Sequence, residues 1–155
     1  MSQIDFYHLK GNGLKADGLA QAVAMLSDKT VASGQKMLII SPPSMTDTIS
    51  ERLWTAKADN FLAHGIDDDD GAAFAPVWIT TDADKNQIGA EFACLIDGLC
   101  PENMSAFTRI FTIFDDNQPE KLDTARAQWK DWSSEEAHQC RYFAQDDAGH
   151  WHLKQ

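Results

Sequence analysis

Arg126 and Trp129 stand one helical turn apart near the end of the chain, and Lys121 and Lys130 share their segment. A guanidinium beside an indole has two uses. It forms an internal cation–π pair, or it opens a notch in which the indole packs an apolar side chain and the guanidinium takes a carboxylate through paired hydrogen bonds. The second use suits a peptide that ends in an apolar residue with a free carboxylate. Trp54 is the other aromatic out of place. Met45, Ile49, Leu53 and Ala56 fall on one stripe of a helix, and at about 100° per residue Trp54 points roughly 140° from the centre of that stripe. It either covers a neighbouring loop or serves as an exposed anchor of the kind enriched in binding hot spots, in a patch that Phe61 and Leu62 enlarge.

Other groupings carry less chemistry. Gly11-Asn-Gly13, with Ala16 after it, has the outline of a dinucleotide-binding loop, but no helix starts tightly after Gly13 and a surface turn is the better reading. A small α/β enzyme or nucleotide-binding protein using that loop is the rival from another functional class. His8, His64, His138, His150 and His152 raise the question of a metal, but His150-Trp-His152 on a strand puts both imidazoles on one face with no nearby Cys or carboxylate pair at zinc-like spacing, and surface histidines are the better reading. Asp67–Asp70 is contiguous, unlike the alternating ligands of a calcium loop, and reads as a solvated acidic loop. Cys94 and Cys100 read as small buried hydrophobes without a base. No nucleophile elbow, zinc-protease or Walker pattern is present, so no catalytic residue, metal or cofactor is expected.

These residues need elements to hold them. Ile4–Leu9 is a short apolar run that opens as a strand, and Asp17 caps a helix carrying Leu19, Ala22, Val23, Leu26 and Thr30, which Gly34 ends. Met37–Ile40 is a continuous apolar run of the kind buried on both faces of a sheet. A second helix covers about Ser44 to Ala56, and Val77–Thr80, Phe92–Ile96 and Ile110–Phe114 add three strands. Pro119 then opens a last helix running to Trp132, whose apolar stripe is Leu122, Ala125, Trp129 and Trp132 with Arg126 falling inside it. Arg141–Phe143 and Trp151–Leu153 flank a turn and make a small hairpin or extended end. The alternation predicts one three-layer α/β domain over residues 1–155, with a mostly parallel, mixed sheet flanked by helices.

Composition narrows the partners. The 155 residues carry a formal charge of −11, and the middle third holds most of the acidity, which argues against charge-driven binding of nucleic acid or anionic lipid. An odd count of three cysteines without CxxC spacing fits a reducing compartment, the cytoplasm. The N-terminus has no basic and apolar leader pattern, and no run approaches the length of a membrane span.

Phe6-Tyr7-His8-Leu9, Gly34-Gln-Lys-Met-Leu-Ile-Ile40, Leu53-Trp-Thr55, Phe61-Leu-Ala-His-Gly65, Pro76-Val77 and Ala125-Arg126, followed by Arg141-Tyr-Phe and Gly149-His-Trp, occur in an order and spacing that resemble the chi subunit of bacterial DNA polymerase III. The resemblance spans nearly the whole chain and rests on the shared order of short motifs. It implies a Rossmann-like fold without nucleotide chemistry and an adaptor role as an accessory subunit of the replicase. One surface would bind the psi subunit of the clamp loader, with Trp54, Phe61 and Leu62 on that side. Another would bind the acidic C-terminal tail of single-stranded DNA-binding protein, with Arg126, Trp129, Lys121 and Lys130. Contact with DNA would be indirect. Trp129 sits where the family often has Tyr, and Leu122 where relatives carry a basic residue, with Lys121 beside it.

Overall fold

The computed structural model describes residues 2–9, 18–54, 64–66, 76–86, 88–115, 119–146 and 150–154. The apolar runs become strands β1 (Ser2–Leu9), β2 (Met37–Ile40), β3 (His64–Ile66), β4 (Val77–Thr80), β5 (Phe92–Ile96), β6 (Arg109–Asp115), β7 (His138–Gln145) and β8 (Trp151–Leu153). They form one sheet in the order β3-β4-β2-β5-β6-β1-β7-β8. Every neighbouring pair is parallel except β7 with β8, so the sheet is more uniformly parallel than its sequence suggests. Parallel strands need covered faces, which is why β2 and β4 read as unbroken apolar runs and are buried throughout.

Helices α1 (Gly18–Ala32) and α2 (Thr46–Trp54) contribute to one core, where Leu19, Val23, Leu26, Ile49 and Leu53 meet Leu9, Ile39, Ile79 and Ile113. Helix α3 (Pro119–Ser133) packs on the opposite core, against Ile4, Phe6, Ile110 and Phe114. The three layers expected from the sequence are therefore present. Gly34 ends α1 at φ +87°, with its N–H donating to Val31 O at 3.0 Å and the Gln35 N–H donating to Thr30 O at 3.1 Å. That pair of bonds is the Schellman arrangement, and the positive φ explains the glycine. Strand β3 was not expected from the sequence. It is three residues long, and at Gly65 a side chain would collide with the buried Trp78 indole, so close backbone approach selects the glycine.

Asp5 breaks the apolar pattern of β1. Its side chain is fully buried, and β1 lies between β6 and β7, which bring two guanidiniums to it. Arg141 donates from Nε to Oδ1 at 2.9 Å and from an Nη to Oδ2 at 2.8 Å, while Arg109 donates to Oδ2 at 3.0 Å. The two arginines also lie over Phe143 and Phe111, at 5.1 and 4.9 Å from the ring centroids. Burial alone would push the Asp5 carboxyl up, but the hydrogen bonds from Arg141, Arg109 and Gln3 outweigh it and hold the carboxyl below its usual range.

Cys100 is exposed rather than buried, because it follows a tight turn at Asp97-Gly98, both at positive φ. Cys94 is fully buried, and burial pushes its thiol up, as it does the half-buried Cys140 thiol, to about 11. His152 and His150 are exposed, yet they do have a carboxylate neighbour in Asp146, at 2.7 and 3.9 Å. Among the described residues no group of three His, Cys, Asp or Glu side chains is placed to hold a metal ion, and no helix is long and apolar enough to cross a membrane. Gly11–Gly13, Asp17 and Asp67–Asp70 lie outside the described residues.

A depressed native pKa stabilises the fold fully above the unfolded-state pKa of about 3.9, and that contribution is lost as pH falls through the native value. Asp5→Asn should lower stability at pH 7 by about 1.5–3 kcal/mol, the range for hydrogen bonds to charged groups, because the arginines remain partly hydrated. Urea titrations of parent and variant should show this difference shrinking as pH drops below about 3.9; a difference independent of pH would contradict the assignment.

Candidate functional site

Helix α3 follows β6 and precedes β7, which flank β1 as parallel strands, so the helix crosses over β1 antiparallel to it. Its length is set by the same sequence features that start it: Pro119 occupies the first position, Glu120 lies in the first turn and Lys130 in the last, each matching the helix dipole. Ala125 and Trp132 are buried on the sheet, while Leu122 and Trp129 are half-buried along one flank.

The two flanks of α3 do different things. On one, Lys121 Nζ pairs with Asp97 Oδ2 at 3.3 Å and Gln128 Nε2 donates to Gly98 O at 2.9 Å. Gly98 has φ +85°, and a Cβ there would press on Thr124 Cγ2, so a glycine turn is what lets the β5 end reach the helix. Lys121 is thereby committed to Asp97 and stands on the flank away from Trp129.

On the other flank Trp129 is wedged among rings. It meets Phe6 edge-on at 5.2 Å and 71°, and Tyr142 edge-on at 5.8 Å and 86°. Phe6 also touches Trp132 at 5.8 Å and lies nearly parallel to Tyr142 at 6.3 Å. The Tyr142 hydroxyl shares a 2.8 Å hydrogen bond with His8 Nδ1, and His8 stacks on Phe114 at 5.0 Å. Aromatic pairs of this geometry each add about 0.5–1.5 kcal/mol beyond burial, enough to hold the Trp129 ring in one orientation. The indole is partly buried, and the part that reaches the surface is held in place.

Arg126 lies one residue past the buried Ala125, about 100° round the helix, and is exposed. It stands at the edge of the apolar stripe rather than inside it. Among the described residues it makes no ion pair, and the cation–π contacts belong to Arg109 and Arg141 on the opposite face of the sheet. Of the two uses of a guanidinium beside an indole, the internal pair is therefore not adopted. Lys130 is exposed one turn further on. The arrangement offers a fixed ring edge, an uncommitted fork of N–H donors and a second cation, which together suit a carboxylate attached to an apolar group.

The structure thus places Arg126, Trp129 and Lys130 on one flank of α3 and Lys121, which the sequence groups with them, on the other, paired with Asp97. Sequence reasoning missed Tyr142, which packs on Trp129, and His8, which shares a hydrogen bond with the Tyr142 hydroxyl. Their only signal was their place in two aromatic runs, Phe6-Tyr7-His8 and Arg141-Tyr-Phe143. For the second surface, Trp54 is the last residue of α2, and Phe61 and Leu62 lie outside the described residues.

A family model described as DNA polymerase III chi subunit, HolC, matches residues 1–139. The match includes both flanks of α3 and ends inside β7, so Arg141-Tyr-Phe143 and Gly149-His-Trp151 fall beyond it. No individually curated protein matches the sequence. With a match over most of its length, on a parallel α/β sheet of the expected architecture, the chain belongs to the DNA polymerase III chi subunit family, whose members are accessory rather than catalytic subunits of the replicase.

Proposed function

We propose that this protein is a non-catalytic adaptor in the cytoplasm, joining the clamp-loader complex, through psi, to the acidic C-terminal tail of single-stranded DNA-binding protein. One observation carries the tail-binding half: Arg126 is exposed and without an ion pair among the described residues, one helical turn before Trp129, whose ring packs on Phe6 and Tyr142. Family membership supports the replication context. In this reading the terminal carboxylate sits on Arg126, the last apolar side chain lies on Trp129, and Lys130 meets acidic residues before the end. Lys121 acts only by fixing α3 to Asp97. Trp54, Phe61 and Leu62 serve the psi-facing side.

The net charge of −11 does not forbid an acidic ligand. At physiological salt the screening length is about 8 Å, so Arg126 and Lys130 dominate the potential at the notch. A charge-assisted hydrogen-bonded contact contributes about 1.5–3 kcal/mol and a single aromatic contact no more than that, so micromolar affinity, about −8 kcal/mol, is the upper limit. Binding should weaken as salt is raised.

Calorimetric titration with a tail peptide should show Arg126→Ala weakening binding by at least about tenfold, equivalent to about 1.4 kcal/mol, with thermal stability unchanged because the side chain is exposed. Equal affinity in parent and variant would refute the notch. Trp54→Ala should leave this titration unaltered and reduce co-purification with the clamp loader; the reverse pattern would overturn the division between the two surfaces.

A further inference from the structure

The notch has a second wall that the helix does not supply. In the sheet, His8 is opposite Ala144, and Ala144 is opposite His152, so the three share a row on the α3 face. The next row runs from Phe6 to Tyr142, and the Lys154 N–H donates to Tyr142 O at 2.7 Å, which sets Lys154 opposite Tyr142. Residues directly opposed on paired strands point to the same face. Helix α3 lies over β1 and reaches Tyr142 through Trp129, while Ala144 is half-buried and His152 and Lys154 are exposed. This row order sets Arg126 and Trp129 on the helix side and His152 and Lys154 on the hairpin side of a strip of sheet, with the small Ala144 between them.

The charge around this strip runs against that of the whole chain. Arg126, Lys130 and Lys154 are exposed, and none of them makes an ion pair among the described residues. Among the described residues of the hairpin the acidic group is Asp146, which is engaged with His152 at 2.7 Å and with the His150 backbone N–H at 2.8 Å. On α3, Asp123 is exposed one turn before Arg126 but outside ion-pair distance. From the strand beneath Trp129, β8 is two strands away, about 10 Å at the usual spacing. That equals about three residues of extended peptide.

We propose that the C-terminal hairpin β7–β8 is part of the peptide site: a peptide anchored by its carboxylate at Arg126 crosses Tyr142 and Ala144, and acidic residues about three positions before its end meet Lys154. The inference rests on the tail-binding reading above and extends it to residues beyond those the family model matches. The hairpin selects for acidity upstream of the chain end, while the notch selects for the end itself.

Two nine-residue peptides with the same apolar C-terminal residue and free carboxylate would be titrated, one acidic upstream and one with serine in place of each acidic residue. Lys154→Glu should weaken the acidic peptide by about fivefold and leave the neutral one within about twofold, whereas Arg126→Ala should weaken both. Lys154→Gln, which removes charge without reversing it, should fall between parent and Lys154→Glu, and unchanged thermal melts would confirm that the hairpin is intact. An unchanged acidic-peptide affinity in Lys154→Glu, or equal losses for both peptides, would overturn the hairpin's role while leaving the notch standing. Loss with Lys154→Glu alone and none with Arg126→Ala would keep the hairpin and overturn the notch. Failure of the parent to bind either peptide would overturn both.

Discussion

Trp129 has its ring edges fixed by Phe6 from β1 and Tyr142 from β7, and this packing makes a covering helix into a binding element. A mobile indole would lose rotamer freedom on capturing a ligand, whereas a ring already held by its neighbours loses little. The same wedge determines which residue of α3 faces water. With Ala125 and Trp132 directed to the sheet and Trp129 locked on one flank, the helical repeat leaves Arg126 at the surface beside the ring. On the opposite flank the Lys121–Asp97 pair and the Gln128 bond to Gly98 prevent the helix from rolling.

The wedge depends in turn on the order β6-β1-β7, and a second device on the other face of the same three strands reinforces that order. Asp5 in the middle strand accepts from Arg109 on one side and Arg141 on the other. A buried carboxylate between two guanidiniums contributes little net stability compared with apolar packing, but a wrong strand pairing would leave it buried and alone, which is far more costly. The side chains of β1 alternate between the faces: Phe6 and His8 lie on the α3 side, Asp5 and Tyr7 on the α1 side. One strand thus serves the site on one side and strand pairing on the other.

Much of this was legible in the sequence because buried parallel strands have a strong signature. Met37–Ile40, Val77–Thr80 and Phe92–Ile96 are strands at the residues expected, and α3 starts at the expected proline. Strand β3 left no such trace, since three residues around a glycine carry no periodicity and its pairing depends on the Trp78 ring. Cys100 looked buried from its apolar neighbours, but the left-handed turn at Asp97-Gly98 turns the chain outward. The partner of Lys121 was hidden for the same reason. Arg126 and Trp129 could be paired from their spacing on one helix; Tyr142, Ala144 and Lys154 could not, because their nearness to α3 follows from a strand order that skips across the sequence.

The five tryptophans make the central claim directly observable, since each gives its own indole N–H signal in a nitrogen–proton correlation spectrum. Adding a tail peptide with a free C-terminal carboxylate should shift the Trp129 signal progressively and saturably, leave the buried Trp78 signal in place, and produce no such shift when the same peptide is amidated at its end. Equal shifts from the acid and the amide, or a Trp129 signal that stays fixed while the peptide binds, would contradict the account.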